Sequence, residues 1–408
     1  MARQYHLKSF LRQAPNALLQ RYFDERQACG DVPWRKLRKI DVALIFEAIE
    51  NLPEEARRRA EQEFHDIFSM ADEGGVKTLV DEARDPHHNA DIAEDVRAMG
   101  SHVERAFWVF LEYPAVFQVA KRFQHADGLS RWRKRDHLPV TDADISSDGQ
   151  ANLGAAISDY YRRKEGRGGA CQVDHYRREG KLYWFALPED YAVGQFVYND
   201  RHQLSLQTLR PAFEVIFVLD PEERSLDLWV RGDKGAVRDL QWIFGSIILG
   251  VDLREEDPSG VVYELQGLLS RSFPFKLEPA DGVEGVRVRS LRLRMVGAGK
   301  KRLTLEADTT DQPQGVYDLL DDVLAGKRIS RDLLQVTAAG LQLVFRQDAG
   351  RGRSLSFDVT YPDSCSLKYE PRHELAKALL KRWGIDVSGR TDDDTAQPRL
   401  PGQRTLRV

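Results

Sequence analysis

Apolar residues in the first third of the chain recur at spacings of three and four, which is the period of an amphipathic helix. One run begins near residue 91 and predicts a single long helix, with apolar positions Ile92, Val96, Met99, Val103, Phe107 and Phe110. An earlier run ends at the pair Gly74-Gly75, where we expect that helix to stop. The pattern predicts a helical domain over residues 1–135, folded as an antiparallel bundle or helical array.

From about residue 170 the apolar residues alternate with polar ones, as in strands with one buried face. A hairpin pattern followed by a helical pattern lies near residues 213–250, recurs near 286–326, and occurs a third time near 341–385. One such unit buries too little surface to be stable alone, so the units should join into one antiparallel sheet. The fold class is therefore α+β, an N-terminal helical bundle followed by a sheet of repeated hairpin-plus-helix units over residues 170–385.

Residues 136–169, between these domains, are predicted to be a basic and polar linker. Two cationic segments flank its polar stretch, namely Arg131, Trp132, Arg133, Lys134 and Arg135, and then Arg162, Arg163 and Lys164. Cationic side chains beside aromatic rings suit phosphate contacts and base stacking. The alternative is a solvated hinge with ordinary surface charge. Residues 386–408 have lost the apolar period and are expected to form a flexible tail.

One predicted strand has arginines at alternating positions. Arg287, Arg289, Arg292 and Arg294 alternate with valines and leucines, and the alternation slips at Arg289-Ser290, as a β-bulge would cause. The slip keeps all four arginines on one face, which Arg302 of the next strand would share. The planar guanidinium group suits phosphates or carboxylates. The alternative is a plain solvent face, balanced by acidic neighbours such as Glu306.

Composition narrows the possible partners. The 408 residues are 42% hydrophobic and 30% charged, as in globular proteins. The net charge of −4 means that any nucleic-acid contact must come from a local basic patch. No apolar run approaches the ~20 residues that span a bilayer, so no membrane partner is expected. Three widely separated cysteines, and a first segment without an apolar stretch, lead us to expect a cytoplasmic protein.

Motifs for catalysis are lacking in the sequence. We find no nucleophile–base pair, no zinc-ligand spacing, no phosphate-binding loop and no dinucleotide fingerprint. The expectation is a protein without catalytic residues, metal ligands or a cofactor, and hence a binding protein rather than an enzyme. Catalytic residues that converge only in the folded chain would escape such a search.

Three short blocks carry a resemblance. Phe64-His65-Asp66-Ile67, Asp174-His175-Tyr176-Arg177-Arg178 and Arg210-Pro211-Ala212-Phe213-Glu214 resemble blocks of an uncharacterised bacterial family. The resemblance implies a setting in phage defence or mobile islands. It assigns no catalytic residue.

Three functions follow as hypotheses. The first is a binding or regulatory protein whose arginines contact an anionic partner, most plausibly DNA or RNA. The second is a structural subunit of a multiprotein defence assembly, with a protein partner docked on the helical half. The third is a nuclease or hydrolase without a recognisable motif. A continuous basic surface would favour the first, an exposed apolar patch on the helices the second, and a shifted titratable pair in a pocket the third.

Overall fold

A computed structural model gives the structure of the chain. It describes residues 4–38, 41–139, 142–199, 203–232, 234–253, 260–296, 301–327, 329–346 and 354–389. The chain divides into two compact units. One comprises Met1–Gly128 with Gln195–Gln207, and the other comprises Leu129–Gly194 with Thr208–Val408.

The first unit is helical, as the spacing predicts. Its helices are α1 (Leu7–Gln13), α2 (Asn16–Glu25), α3 (Val42–Glu50), α4 (Glu54–Ser69), α5 (Glu73–Ala83), α6 (Ala93–Ala98), α7 (His102–Glu112) and α8 (Pro114–Asp127). Aromatic rings fill the core between them. The ring of Phe64 in α4 lies 5.0 Å from that of Phe10, 4.8 Å from that of Tyr22 and 6.0 Å from that of Phe107, measured between centroids.

Two helix boundaries differ from the prediction. Gly74-Gly75 does not end a helix but lies in the first turn of α5, where the Asp72 side chain accepts a hydrogen bond from the Gly75 amide. A Cβ at Gly75 would lie 2.4 Å from the Met70 carbonyl oxygen, so glycine allows this close approach. The long helix predicted from residue 91 is two helices. Ser101 starts the second by accepting a hydrogen bond from the Glu104 amide.

The described residues of the second unit form most of the strands and four α-helices. Its strands are β1 (Trp132–Arg135), β2 (Cys171–Arg178), β3 (Lys181–Pro188), β6 (Val215–Asp220), β7 (Ser225–Val230), β8 (Val283–Met295), β9 (Arg302–Glu306), β10 (Leu334–Phe345), β11 (Ser354–Thr360) and β12 (Ser364–Cys365). Its helices are α9 (Ser147–Glu165), α10 (Lys234–Phe244), α11 (Gly315–Lys327) and α12 (Pro371–Arg382). Two further strands, β4 (Val193–Tyr198) and β5 (Leu204–Leu209), pair with each other in a separate two-stranded ribbon.

The ten strands of the second unit form one antiparallel sheet in the order β2-β3-β6-β7-β1-β12-β11-β10-β8-β9. The predicted hairpin-plus-helix unit occurs three times, as β6-β7-α10, β8-β9-α11 and β10-β11 followed by α12. The prediction of an α+β fold with a helical part followed by an antiparallel sheet is confirmed. The short strands β1 and β12 join the two halves of the sheet at its centre.

Two segments are more ordered than predicted. The linker prediction for residues 136–169 is wrong for α9, whose Leu153, Ile157 and Tyr161 lie one turn apart and are buried beside α10. The tail prediction is wrong for residues 386–389, since Asp386 and Ser388 are buried. Residues 390–408 lie outside the described residues. None of the helices that the structure describes is long and apolar enough to cross a membrane.

Candidate functional site

Strand pairing shows which side chains share a face with the predicted arginines. Residues directly opposite each other on antiparallel strands point to the same side of a sheet. One row of such pairs runs through Phe217, Leu228, Arg133, Ser364, Thr360, Ala338, Arg292 and Thr304. Helix α10 packs on this face in the first half of the sheet, where Phe244 stacks on Phe217 with centroids 4.8 Å apart.

The helices of the second half pack on the opposite face. Leu291, next to Arg292 on β8, points to that side and shares a buried core with Leu320 of α11 and Leu379 of α12. The arginines of β8 therefore lie on the face that α11 and α12 do not cover. The exposed side chains of Thr304, Glu306 and Asp358 share this face.

We call the set Arg287, Arg289, Arg292, Arg294 and Arg302 the arginine face. Arg292, Arg294 and Arg302 are exposed, and the other two are half-buried. Arg294 lies directly opposite Arg302 on the neighbouring strand, and like charges in that arrangement destabilise a sheet. Within the described part of the chain, none of the five forms an ion pair.

The register of β8 explains how the arginines come together. Val288 lies opposite Leu341 and Ser290 lies opposite Gly340, so Arg289 is the extra residue of a bulge, as predicted from the alternation. Arg289 and Arg287 both act on the carboxyl group of Asp308. Hydrogen bonds from Thr310, followed by these two positive charges, hold the pKa of Asp308 below its usual value. Asp308 thus partly balances the bulged end of the arginine face.

The first predicted cationic segment is β1, at the centre of the sheet. Trp132 is buried with its ring centroid 5.2 Å from that of Tyr369 in an edge-to-face arrangement, and its indole N–H donates to the Leu129 carbonyl. The structure therefore does not support base stacking by Trp132. Arg133 pairs with Asp363 at 3.1 Å, and Arg135 donates to the Leu253 carbonyl. Arg131, in contrast, is exposed.

This segment does not extend the arginine face. Arg133 lies in the same row as Arg292, but the residues between them in that row, Ser364, Thr360 and Ala338, are uncharged. The continuous basic surface that would join the two clusters is not formed along this row.

The second predicted cationic segment is the last turn of α9. Arg162 and Arg163 both pair with Asp159, one turn earlier in the helix, at 3.0 and 2.9 Å. Lys164 pairs with Asp239 at 3.5 Å. All three side chains are more than 60% exposed, and cations at a helix C-terminus are favourable in themselves. These contacts account for the cluster as a helix end with paired charges.

A charged cavity that sequence reasoning missed lies beside β1 in the second unit. Its volume is about 190 Å³. Four lysines and five acidic residues line it, namely Lys134, Lys181, Lys377, Lys381, Asp220, Glu223, Asp227, Glu374 and Asp386. These residues come from β1, β3, β6, the turn before β7, β7 itself, α12 and the segment after α12. The two lysines that bind Glu223, Lys134 and Lys381, lie 89 and 158 positions from it in the chain, so no local motif indicates the cavity.

Lys134 and Glu223 form the central ion pair of the cavity. The Lys134 ammonium donates to Glu223 at 3.1 Å and to the Ser388 hydroxyl at 3.0 Å, and Lys381 pairs with the other oxygen of Glu223. Burial alone would lower the pKa of Lys134, but the charges of Asp386, Asp227 and Glu223 raise it above its usual value. Burial alone would raise the pKa of Glu223, but Lys134 and Lys381 lower it to about 2.

These shifts determine what the cavity can do chemically. Both groups stay charged throughout the neutral range, whereas a general acid or base works best with a pKa near the working pH. Lys134 and Glu223 therefore form a fixed ion pair, and the shifts in their pKa values do not favour the hypothesis of a hydrolase. Nearby, the Tyr369 hydroxyl donates to Asp227, and the Tyr263 hydroxyl lies 3.3 Å from the Cys365 sulfur. Burial raises the pKa of the Cys365 thiol, which makes it a poor nucleophile.

Comparisons with known proteins add no further assignment. The chain matches no protein-family model, no curated protein and no solved structure. The three blocks with a bacterial resemblance lie in α4, in β2 and immediately before β6. None of them contributes a residue to the arginine face or to the charged cavity. Among the described residues, no group of three or more histidines, cysteines and carboxylates is placed to hold a metal ion.

Proposed function

We propose that the chain binds an anionic partner, nucleic acid, through the arginine face. The observation that carries the proposal is the pair Arg294 and Arg302, directly opposite each other on an uncovered face without an ion pair among the described residues. Such a pair costs roughly 0.2–1 kcal/mol in the unbound protein. A phosphate between the two guanidinium groups turns that repulsion into two charge-assisted contacts.

The neighbouring side chains indicate the mode of binding. Arg292 precedes Arg294 on the same face, two residues or about 7 Å along β8. The other exposed side chains described there include those of Thr304, Glu306, Ser356 and Asp358, and none of these four is aromatic. Stacking on bases therefore has no platform in this patch, and the contacts go to the phosphate backbone. We expect binding without sequence preference and with a strong dependence on salt.

The test is fluorescence anisotropy with labelled single- and double-stranded DNA and RNA across a salt series. The variant Arg292→Ala, Arg294→Ala, Arg302→Ala removes three cations from the arginine face. Each lost phosphate contact lowers the slope of log affinity against log salt by about 0.9 for duplex DNA. The expected result is a slope smaller by about 2–3, with far-UV circular dichroism unchanged.

A charge-matched control comes from the end of α9. The variant Arg162→Ala, Arg163→Ala, Lys164→Ala also removes three cations, but these are paired with Asp159 and Asp239. We expect it to keep the wild-type slope. Absence of binding at low salt would refute the proposal. Equal weakening by the two triple variants would also refute it, because it would show a general effect of net charge.

A further inference from the structure

The residues that line the charged cavity beside β1 all belong to the second unit. Lys134 is next to Arg133 on β1 and therefore points to the opposite face of the sheet, on which α12 packs. Asp227 of β7 lies directly opposite Lys134, and Val218 of β6 lies directly opposite Asp227. These three side chains form one row, which is the floor of the cavity. The wall on the side of α12 consists of Glu374, Lys377, Ala378 and Lys381.

The volume of the cavity limits what can bind there. A cavity of about 150 Å³ accommodates benzene, whereas pockets for drug-sized ligands and cofactors measure roughly 300–1,000 Å³. At about 190 Å³, this cavity suits a molecule of roughly seven or eight non-hydrogen atoms and is too small for a nucleotide. It is therefore a site separate from the arginine face, with a different class of ligand.

Two carboxylates of the cavity each have one oxygen that accepts no hydrogen bond from the described part of the chain. Both bonds to Asp386, from the Ser388 amide and hydroxyl, go to Oδ1, and Lys134 approaches Oδ2 only to 4.0 Å, beyond hydrogen-bond distance. Asp227 accepts on Oδ2 from the Tyr369 hydroxyl, and among the described residues its Oδ1 has no donor. Asp386 is buried, and a buried carboxylate oxygen without a donor is costly.

The charges of the cavity favour a cation over an anion. Four lysines and five carboxylates line it, which leaves one formal negative charge in excess. The lysines already have acidic partners, namely Glu223 for Lys134 and Lys381, Asp220 for Lys181, and Glu374 for Lys377. An anion would have to displace one of these partners, whereas a cation meets carboxylate oxygens that lack a donor.

Asp227 and Asp386 lie near the same point of the cavity. The charges of both raise the pKa of Lys134, so both carboxylates act on a single ammonium group. A second ammonium has three donors, which is enough to serve both carboxylates. Apolar parts of the lining, from Trp132 and Leu367, offer contacts for the carbon atoms that carry such a group.

We propose that the charged cavity binds a small organic molecule through a primary ammonium group, held by Asp227 and Asp386. The bonds that form are charge-assisted, and they supply the donors that the two carboxylates lack. The cavity is then a binding site for a small amine, in addition to the surface that we propose for nucleic acid.

The test is isothermal titration calorimetry of the full chain with cyclohexylamine, cyclohexanol and cyclohexanecarboxylate. At neutral pH these probes place a positive charge, no charge and a negative charge on the same ring, and butylamine serves as a narrower amine. We expect the Kd of the amines to be at least about tenfold lower than that of the alcohol and the carboxylate. Equal affinities for amine and alcohol, tighter binding of the carboxylate, or no binding of either amine at about 10 mM overturns the proposal.

Two variants locate the bound amine. Asp227→Asn removes the charge and keeps an oxygen that accepts from Tyr369, and it should weaken amine binding at least about tenfold. Ala378→Leu enlarges an exposed side chain of α12 that lines the cavity, and the lost space should also cost at least about tenfold in affinity. The matched controls Asp148→Asn and Ala155→Leu make the same changes at exposed positions of α9 and should leave the affinity unchanged.

Far-UV circular dichroism and the thermal unfolding midpoint show whether each variant is folded. Should Asp227→Asn fail to fold, Ala378→Leu decides alone, because it alters no charge. Wild-type amine affinity in the folded cavity variants overturns the proposal, and so does equal weakening by the controls. The arginine face is the same in all these variants, so the result is independent of nucleic-acid binding.

Discussion

Replacing Lys134 by Met should selectively destabilise the central strands of the sheet. The Lys134 side chain is 10% exposed and is the cation shared by Glu223 and Asp386, at 3.1 and 4.0 Å. Glu223 keeps Lys381 as a partner in the variant. Among the described residues, Asp386, which is 5% exposed, keeps the hydrogen bonds from the Ser388 amide and hydroxyl, at 2.9 and 2.5 Å, and loses the Lys134 cation.

The magnitude follows from this remaining buried charge. Removing one partner of a buried ion pair costs about 3–5 kcal/mol, and the surviving Lys381 contact places the expected loss at the lower end, about 3 kcal/mol. That loss raises the equilibrium constant for local opening on the order of a hundredfold. The chain has two compact units, so a probe local to the sheet is needed. Native-state hydrogen exchange on peptides from β1 and β7 measures the opening directly.

Two further variants make the result decisive. Lys276→Met alters an exposed lysine of the same unit and should change the free energy of local opening by less than about 0.5 kcal/mol. Adding Asp386→Asn to Lys134→Met removes the unpaired charge, so the double variant should lose less than the sum of the two single variants. If Lys134→Met exchanges no faster than Lys276→Met, or if the two changes simply add, the ion-pair account is refuted.

Two other predictions concern the same unit. The folded pKa of Glu223, about 2, lies below its ordinary value of 4.5, so its stabilising contribution is present above pH 4.5 and is lost as pH falls toward 2. The full shift corresponds to about 3 kcal/mol; because 38% of the side chain is exposed, screening reduces this to about 1–2 kcal/mol. Unfolding midpoints between pH 5 and 2 should fall less steeply in Glu223→Gln than in wild type. Gly154→Ala should destabilise by about 1–3 kcal/mol in thermal unfolding, because the new Cβ would lie 2.6 Å from the Cys171 carbonyl oxygen. Gly326→Ala, with nothing within 4 Å, is the control, and equal effects would contradict the steric argument.

Local periodicity was sufficient to predict a helical first part and the hairpin-plus-helix pattern of the second, but not α9 or the break between α6 and α7. The alternation in β8 even located the bulge at Arg289, because the register of a half-buried strand is set by which residues must point inward. The sequence contains a signal at each of the two places where the prediction was wrong. Ser101 with Glu104 three residues later is a capping pattern, and Leu153, Ile157 and Tyr161 have helical spacing. The end signal at Ser101 indicates the break before α7, and the apolar spacing itself indicates α9.

Sheet order, in contrast, could not be obtained from local pattern, and it decides which charges are available to a partner. The four-residue strand β1 pairs with β7 and β12, so its cations meet acidic residues that are distant in sequence. Lys134 reaches Glu223 across 89 positions, and Lys381 reaches the same carboxylate across 158. Composition alone made β1 and β8 look alike, as basic segments. Pairing separates them, because β1 lies among carboxylates whereas Arg294 on β8 faces another arginine. Whether a surface charge stays unbalanced thus depends on its neighbours across the sheet. Of the predicted cationic clusters, the arginine face is the one that the folded chain leaves with a net positive charge.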